Sequence, residues 1–129
     1  MTARPPVVMI HGMWSQGRIW DTFRVPFEAA GHAVHAPTLR HHAPGAPHPD
    51  LGTTSLRDYV NDLADFIATL PELPILVGHS MGGLLAQLLT ARGLSRATVM
   101  LASAPARGVF PIRPVMLPGT ARIFSTPGF

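Results

Sequence analysis

The acid–base chemistry of this chain is distributed one-sidedly. Ser80 stands at the centre of Gly78-His79-Ser80-Met81-Gly82-Gly83, a G-x-S-x-G pattern. All seven carboxylates lie before it, the last being Glu72, and all seven histidines lie at or before His79. A serine hydroxyl becomes a useful nucleophile only when a base takes its proton and fixed N–H groups receive the charge that develops on the attacked carbonyl. Nothing in the sequence after Ser80 can act as acid or base, so the nucleophile is present while its usual partners are not evident.

The residues around Ser80 say how it would be held. Ile75, Leu76 and Val77 form an apolar run suited to a strand covered on both faces, and Leu84, Leu85, Leu88 and Leu89 recur at helical spacing. The chain must turn sharply between them. A serine at the apex of such a turn adopts a strained backbone with positive φ, its hydroxyl is lifted clear of the sheet, and only small residues fit beside it. Gly78 and Gly82 meet that need, and Gly83 lets the helix lie tight against its neighbours. The helix start also turns the N–H of Met81 toward whatever Ser80 attacks. A blander reading is open: a small-residue turn whose serine only caps the helix.

Three more apolar runs complete a parallel architecture. Val7 to Ile10 predicts a first strand ending at His11-Gly12; Ala33 to Ala36, a second; Thr98 to Ala102, a fourth, apolar on both faces in the manner of an interior strand. Ile19, Trp20, Phe23, Phe27 and Ala30 suggest a helix over 18–30, kinked at Pro26 and closed by Gly31. Residues 38–54 hold three prolines and no period, and read as an irregular connection. From Ser55, a cap with Asp58 three residues on, the pattern Leu56, Tyr59, Val60, Leu63, Phe66, Ile67 and Leu70 predicts a helix over 55–70.

Strands alternating with helices imply right-handed crossovers and a three-layer α/β sandwich on a parallel sheet, with strand order second, first, third, fourth. In that order the loop Gly12–Gly17 meets the Ser80 turn at the carboxyl ends of the strands, where such sheets bind ligands. The backbone N–H groups of Met13 and Met81 would then form a two-donor oxyanion hole. Trp14, beside Met13, is a candidate for pocket lining; Trp20 falls on the helix stripe and reads as core.

Composition bounds the rest. At 129 residues with 47% apolar content the chain can bury a core, and residues 1–108 read as one core region with a Pro-rich tail over 109–129. No apolar stretch is long enough to cross a bilayer, and Met1 to Pro6 has no apolar leader, so a cytoplasmic setting is expected. The absence of cysteine removes thiol chemistry and thiolate metal sites. The net charge of +3 comes from ten scattered arginines and no lysine, without the basic, aromatic-interleaved face of a nucleic-acid binder. Arg40-His41-His42 with His48 and Asp50 offers metal-ligand types, but adjacent histidines on a loop project apart, so no metal and no cofactor are expected. Asp58, Asp62 and Asp65 fall on the solvated side of their helix. His79 should leave the turn away from Ser80, and His11 is the other nearby base. The fourth strand, with no later strand legible to cover it, suggests self-association through an exposed sheet edge.

Three segments together resemble the α/β-hydrolase fold family, in particular its small esterase-like and C–C-hydrolase-like members. They are Val7 to Gly12 with Met13-Trp14, Ala29 to Pro37, and Val77 to Gly83. The resemblance covers residues 5 to about 108 and implies Ser80 as nucleophile, Met13 and Met81 as oxyanion donors and a structural His11. It implies a serine hydrolase of ester, thioester or related acyl bonds, with a small-molecule ester-like substrate and neither nucleic acid nor membrane as partner. In the family the acid and histidine follow the serine, each after a later strand. This chain lacks both, so the resemblance extends only to the N-terminal portion, and the tail would be the beginning of a lid. Two other readings stay open: an inert fragment or binding module that keeps the pocket half, and a haloperoxidase-like or lyase-like use of the same turn.

Overall fold

A computed structural model describes residues 4–109 and 118; the expected tail over 109–129 lies almost wholly outside them. Four strands, β1 (Val7–Ile10), β2 (Val34–His35), β3 (Ile75–His79) and β4 (Ala97–Leu101), form one sheet in the order β2-β1-β3-β4. All its pairings are parallel, with Ile10 opposite Gly78 and His79 opposite Leu101. The order and direction are those expected from the sequence.

Alternation along β1 builds both sides of the core. Val8 and Ile10 pack with Leu76 under α2 (Leu56–Ala68) and α3 (Met81–Ala91), whose Tyr59, Leu63, Leu85 and Leu89 are all buried. Val7 and Met9 face the other way, toward Trp20, Val34 and Val77, with Phe27 packed alongside. All four β1 residues have no solvent exposure. The result is a layer of helix on each face of a parallel sheet, the expected three-layer sandwich.

The capping box at the start of α2 is formed: Ser55 Oγ accepts from Asp58 N–H at 3.2 Å, and Asp58 Oδ2 accepts from Ser55 N–H at 2.8 Å. The Ser55 hydroxyl, which also donates to Asp58 Oδ2 at 2.7 Å, and the Ser55 N–H together hold the Asp58 carboxyl below its ordinary range.

Three expectations need correction. The helix over 18–30 is broken: a 3-10 turn spans Gly17–Trp20, and a short α1 covers Val25–Ala29. Pro26 lies in the first turn of α1, where its missing N–H costs nothing, so it starts a helix instead of kinking one. Of the apolar stripe only Trp20 is buried, while Ile19 and Phe23 are exposed. The fourth strand runs Ala97–Leu101, one residue earlier at each end than expected; it stands at the sheet edge that the expected order gives it and is not buried, with Val99 46% and Met100 50% exposed. It ends at Ala102, whose φ of 43° breaks the extended run. Finally, the irregular connection contains a 3-10 turn, Pro49–Thr53.

Candidate active site

Ser80 occupies the sharp turn from β3 to α3 with φ 54° and ψ −119°, a conformation in which L-residues are strained. Its side chain makes no capping hydrogen bond to the helix, so the bland alternative of a mere N-cap does not hold. The backbone around it is fixed from several directions. Ser80 N–H donates to Leu101 C=O at the end of β4, and Ser80 C=O accepts from Ala104, Gly83 and Leu84. The apex is anchored through its main chain to the neighbouring strand, and among the described residues the side chain of the half-buried Ser80 has no hydrogen bond.

The glycines are required by contact. A Cβ on Gly82 would collide with the Ile10 and His11 carbonyls, the latter at 2.6 Å, and one on Gly78 would collide with the Gly82 backbone. A Cβ on Gly83 would lie 2.8 Å from the Ser103 side chain. The loop after β1 therefore presses directly on the elbow. Gly12 faces Ser80 itself: a Cβ there would lie 3.0 Å from Ser80 Cβ and 3.2 Å from His79 C=O. Met13, next in the loop, is exposed, and Met81 is buried at the first position of α3. The sequence places Gly12 at the end of the first strand and the start of the loop expected to meet the Ser80 turn; its steric role shows once β1 and β3 are neighbours.

His11 is wholly buried behind this loop. Leu39 N–H donates to its Nε2 at 2.9 Å, so its proton sits on Nδ1, which donates to Gly12 C=O at 2.8 Å. Burial lowers its pKa, the Gly12 carbonyl opposes this, and the nearby His42 lowers it further. With both ring nitrogens committed, His11 is a neutral strut between the loop and the chain beyond β2. It cannot take a proton from Ser80. His79 is exposed, and among the described residues no hydrogen bond joins a histidine to Ser80.

His42, which sequence reading grouped with a loop cluster, is buried instead. Its ring meets His11 edge-on at 5.2 Å, and its Nε2 lies 3.1 Å from the hydroxyl of the buried Tyr59. Burial lowers the His42 pKa, against a backbone hydrogen bond to Ser15 and with the help of His41; burial raises that of Tyr59. His11, His42 and Tyr59 thus brace the Gly12–Gly17 loop from behind. Nothing in the sequence distinguished His42 from His41, because a loop without period gives no inside or outside.

Trp14, with φ 58° and 66% exposure, borders a cavity of about 220 Å³ together with Ser15, Gln16, His41, Pro47 and Leu51. Trp20 is core, as expected. Of the five residues weighed as metal ligands or their neighbours, Arg40 pairs with Asp62 and His42 turns inward, while His41, His48 and Asp50 come together.

Comparison with known proteins agrees with this geometry. The model of the alpha/beta hydrolase family matches residues 7–129. A pyrethroid hydrolase of Sphingobium wenxiniae is 32% identical over 121 residues, 79% of this chain and 42% of that protein. Methylesterase 7 of Arabidopsis thaliana is 36% identical over 85 residues, 63% of this chain and 32% of the relative. The crystal structure of a pyrethroid hydrolase from Sphingobium faniae superposes with a TM-score of 0.68 at 28% identity, over 85% of this chain and 47% of that one. The chain spans less than half the length of these relatives.

Proposed function

This chain belongs to the alpha/beta hydrolase family, and from that membership we propose that it carries the nucleophile and oxyanion half of a serine esterase site. The substrates are small molecules with an ester, thioester or related acyl bond. The relatives' names support the ester class, one being a hydrolase of pyrethroids and the other a methylesterase.

The observation that carries the reading is the Ser80 backbone, φ 54° and ψ −119°, locked at a strand-to-helix elbow with Gly12 against it. Strain of this kind costs of the order of 1–3 kcal/mol and persists where surrounding structure over-determines it. A turn that only linked a strand to a helix would have no need of it. In the proposed reaction Ser80 Oγ attacks the acyl carbon as a base takes its proton. The carbonyl oxygen becomes an oxyanion held by the N–H groups of Met13 and Met81, the latter at a helix start where N–H groups lack an intrahelical acceptor. Expulsion of the alcohol or thiol leaves an acyl-Ser80 that water cleaves. Trp14 lines the adjoining acyl or alcohol pocket.

The base is assigned to none of the seven histidines present. His11 has both ring nitrogens engaged, and no histidine or carboxylate follows Ser80 in the sequence. That distribution also favours the second reading, a chain that keeps the pocket half without chemistry. Chemical rescue separates the two. A fluorophosphonate should modify Ser80 slowly, and added imidazole, acting as an external base, should accelerate that modification selectively, with Ser80→Ala abolishing it. Labelling spread evenly over the exposed hydroxyls, or unaltered in Ser80→Ala, would leave the inert reading standing.

A further inference from the structure

We propose that His41, His48 and Asp50 form a binding site for a borderline divalent cation of the zinc, cobalt or nickel type, at the rim of the cavity bordered by Trp14. The potential ligand atoms of the three residues all lie within 4.8 Å of one another. The two imidazoles stack with centroids 4.0 Å apart at 27°, and His48 Nδ1 is 3.8 Å from Asp50 Oδ2. Two imidazoles and one carboxylate suit these ions and leave room for water as a further ligand. The absence of cysteine leaves no thiolate to compete for them.

The three positions are held by their neighbours rather than by chance proximity of mobile side chains. On either side of His41, Arg40 Nε donates to Asp62 at 2.6 Å, and the buried His42 gives its N–H to Leu39 C=O at 3.1 Å. Between these anchors His41 itself has φ 63°, which turns its ring outward as that of His42 turns in. His48 lies between Pro47 and Pro49, at φ −66° and ψ 136°, the extended form that a following proline imposes. Pro49 then opens the 3-10 turn that sets Asp50 beside the His48 ring. Thus the sequence Pro-His-Pro-Asp shapes one half of the site and the divergence of His41 from His42 supplies the other.

Closure on an ion requires adjustment. Bonds of about 2.0–2.1 Å in a tetrahedral arrangement put ligand atoms about 3.3 Å apart, so the groups must draw in from their present spacing, and the rings must tilt out of the stack so that their in-plane lone pairs converge. His48 Nδ1 currently accepts from Asp50 N–H at 3.2 Å. One lone pair cannot serve both, so binding through Nδ1 exchanges a long hydrogen bond for a metal bond. His48 and Asp50 are exposed, which makes these rotations inexpensive.

The test is a cobalt(II) titration of the tag-free chain, read by its visible d–d absorption and by equilibrium dialysis. One ion per chain is expected, with the intensity of a low-coordinate nitrogen–oxygen site and no sulfur charge-transfer band. His48→Gln and Asp50→Asn should each weaken binding by at least the roughly 10–100-fold that loss of even an outer-shell partner costs. Asp65→Asn, on the solvated side of α2, should leave it unchanged. Absence of the bands, or bands that persist in His48→Gln, would overturn the proposal. Because the readout is binding and spectra, its failure would leave the Ser80 reading untouched.

Discussion

The histidines show how differently one residue type is used within a few ångströms. His11 and His42 are buried and neutral, and their folded pKa values lie below the ordinary imidazole value because burial disfavours the cation. The unfolded chain takes up protons near pH 6.5 that the folded chain refuses. Stability is therefore fully present above about pH 6.5 and is lost progressively as the pH falls below it. The urea midpoint should drop between pH 7.5 and 5.5, and His42→Gln should flatten that dependence while lowering stability at both ends. A midpoint indifferent to pH in the parent chain would mean that these rings can charge without leaving the fold.

Elements owe their places here to a few contacts. α2 presents Leu63 to the core at 2% exposure and Leu56 to solvent at 41%, although both satisfy the same apolar pattern. Leu63→Ala should cost about 2–5 kcal/mol, whereas Leu56→Ala should stay within about 0.5 kcal/mol as a surface change, both read from thermal or denaturant melts. The β3–α3 elbow admits no such latitude. Gly82→Ala would drive a methyl group into two carbonyls of the β1 end, and the expected outcome is a chain that loses its cooperative transition. Normal folding of Gly82→Ala would show that β1 can retreat from the elbow, and the tight apposition of Gly12 with Ser80 would no longer follow.

At the scale of the whole molecule, the proposed chemistry and the state of association both turn on what lies beside Ser80 and β4. Ser80 has its turn and the loop that faces it, but the chain carries no later base or acid. Loss of triad members costs on the order of 10⁴–10⁶ in turnover, so hydrolysis of a nitrophenyl ester by this chain should be scarcely above background. Robust activity abolished by Ser80→Ala would show that an upstream histidine serves after all. β4, paired only with β3 among the described residues, leaves Val99 and Met100 exposed beside unpaired strand backbone. Such an edge invites pairing with another chain. Size-exclusion chromatography should show concentration-dependent oligomers, shifted toward monomer by Met100→Lys; a monodisperse parent chain would remove the edge as a cause of association.

The sequence by itself determined the features that rest on local pattern. Four apolar runs specified parallel strands, Ser55 and Asp58 specified the start of α2, and G-x-S-x-G specified a strained turn, because periodicity, capping and small-residue turns are written within a few residues of one another. Only the tertiary structure decided what depends on which segments become neighbours. Trp20 is buried while Ile19 and Phe23 are not, since a 3-10 turn and Pro26 break the helical stripe that would have carried all three inward. β4 has the apolar composition of an interior strand, and how far its side chains stay exposed, Val99 and Met100 by about half, is decided by what packs on the sheet and not by the strand. His41 and His42, identical in type and adjacent, part company because the buried Tyr59 captures one and the stacked His48 the other, a choice set by packing across 17 residues in the first case.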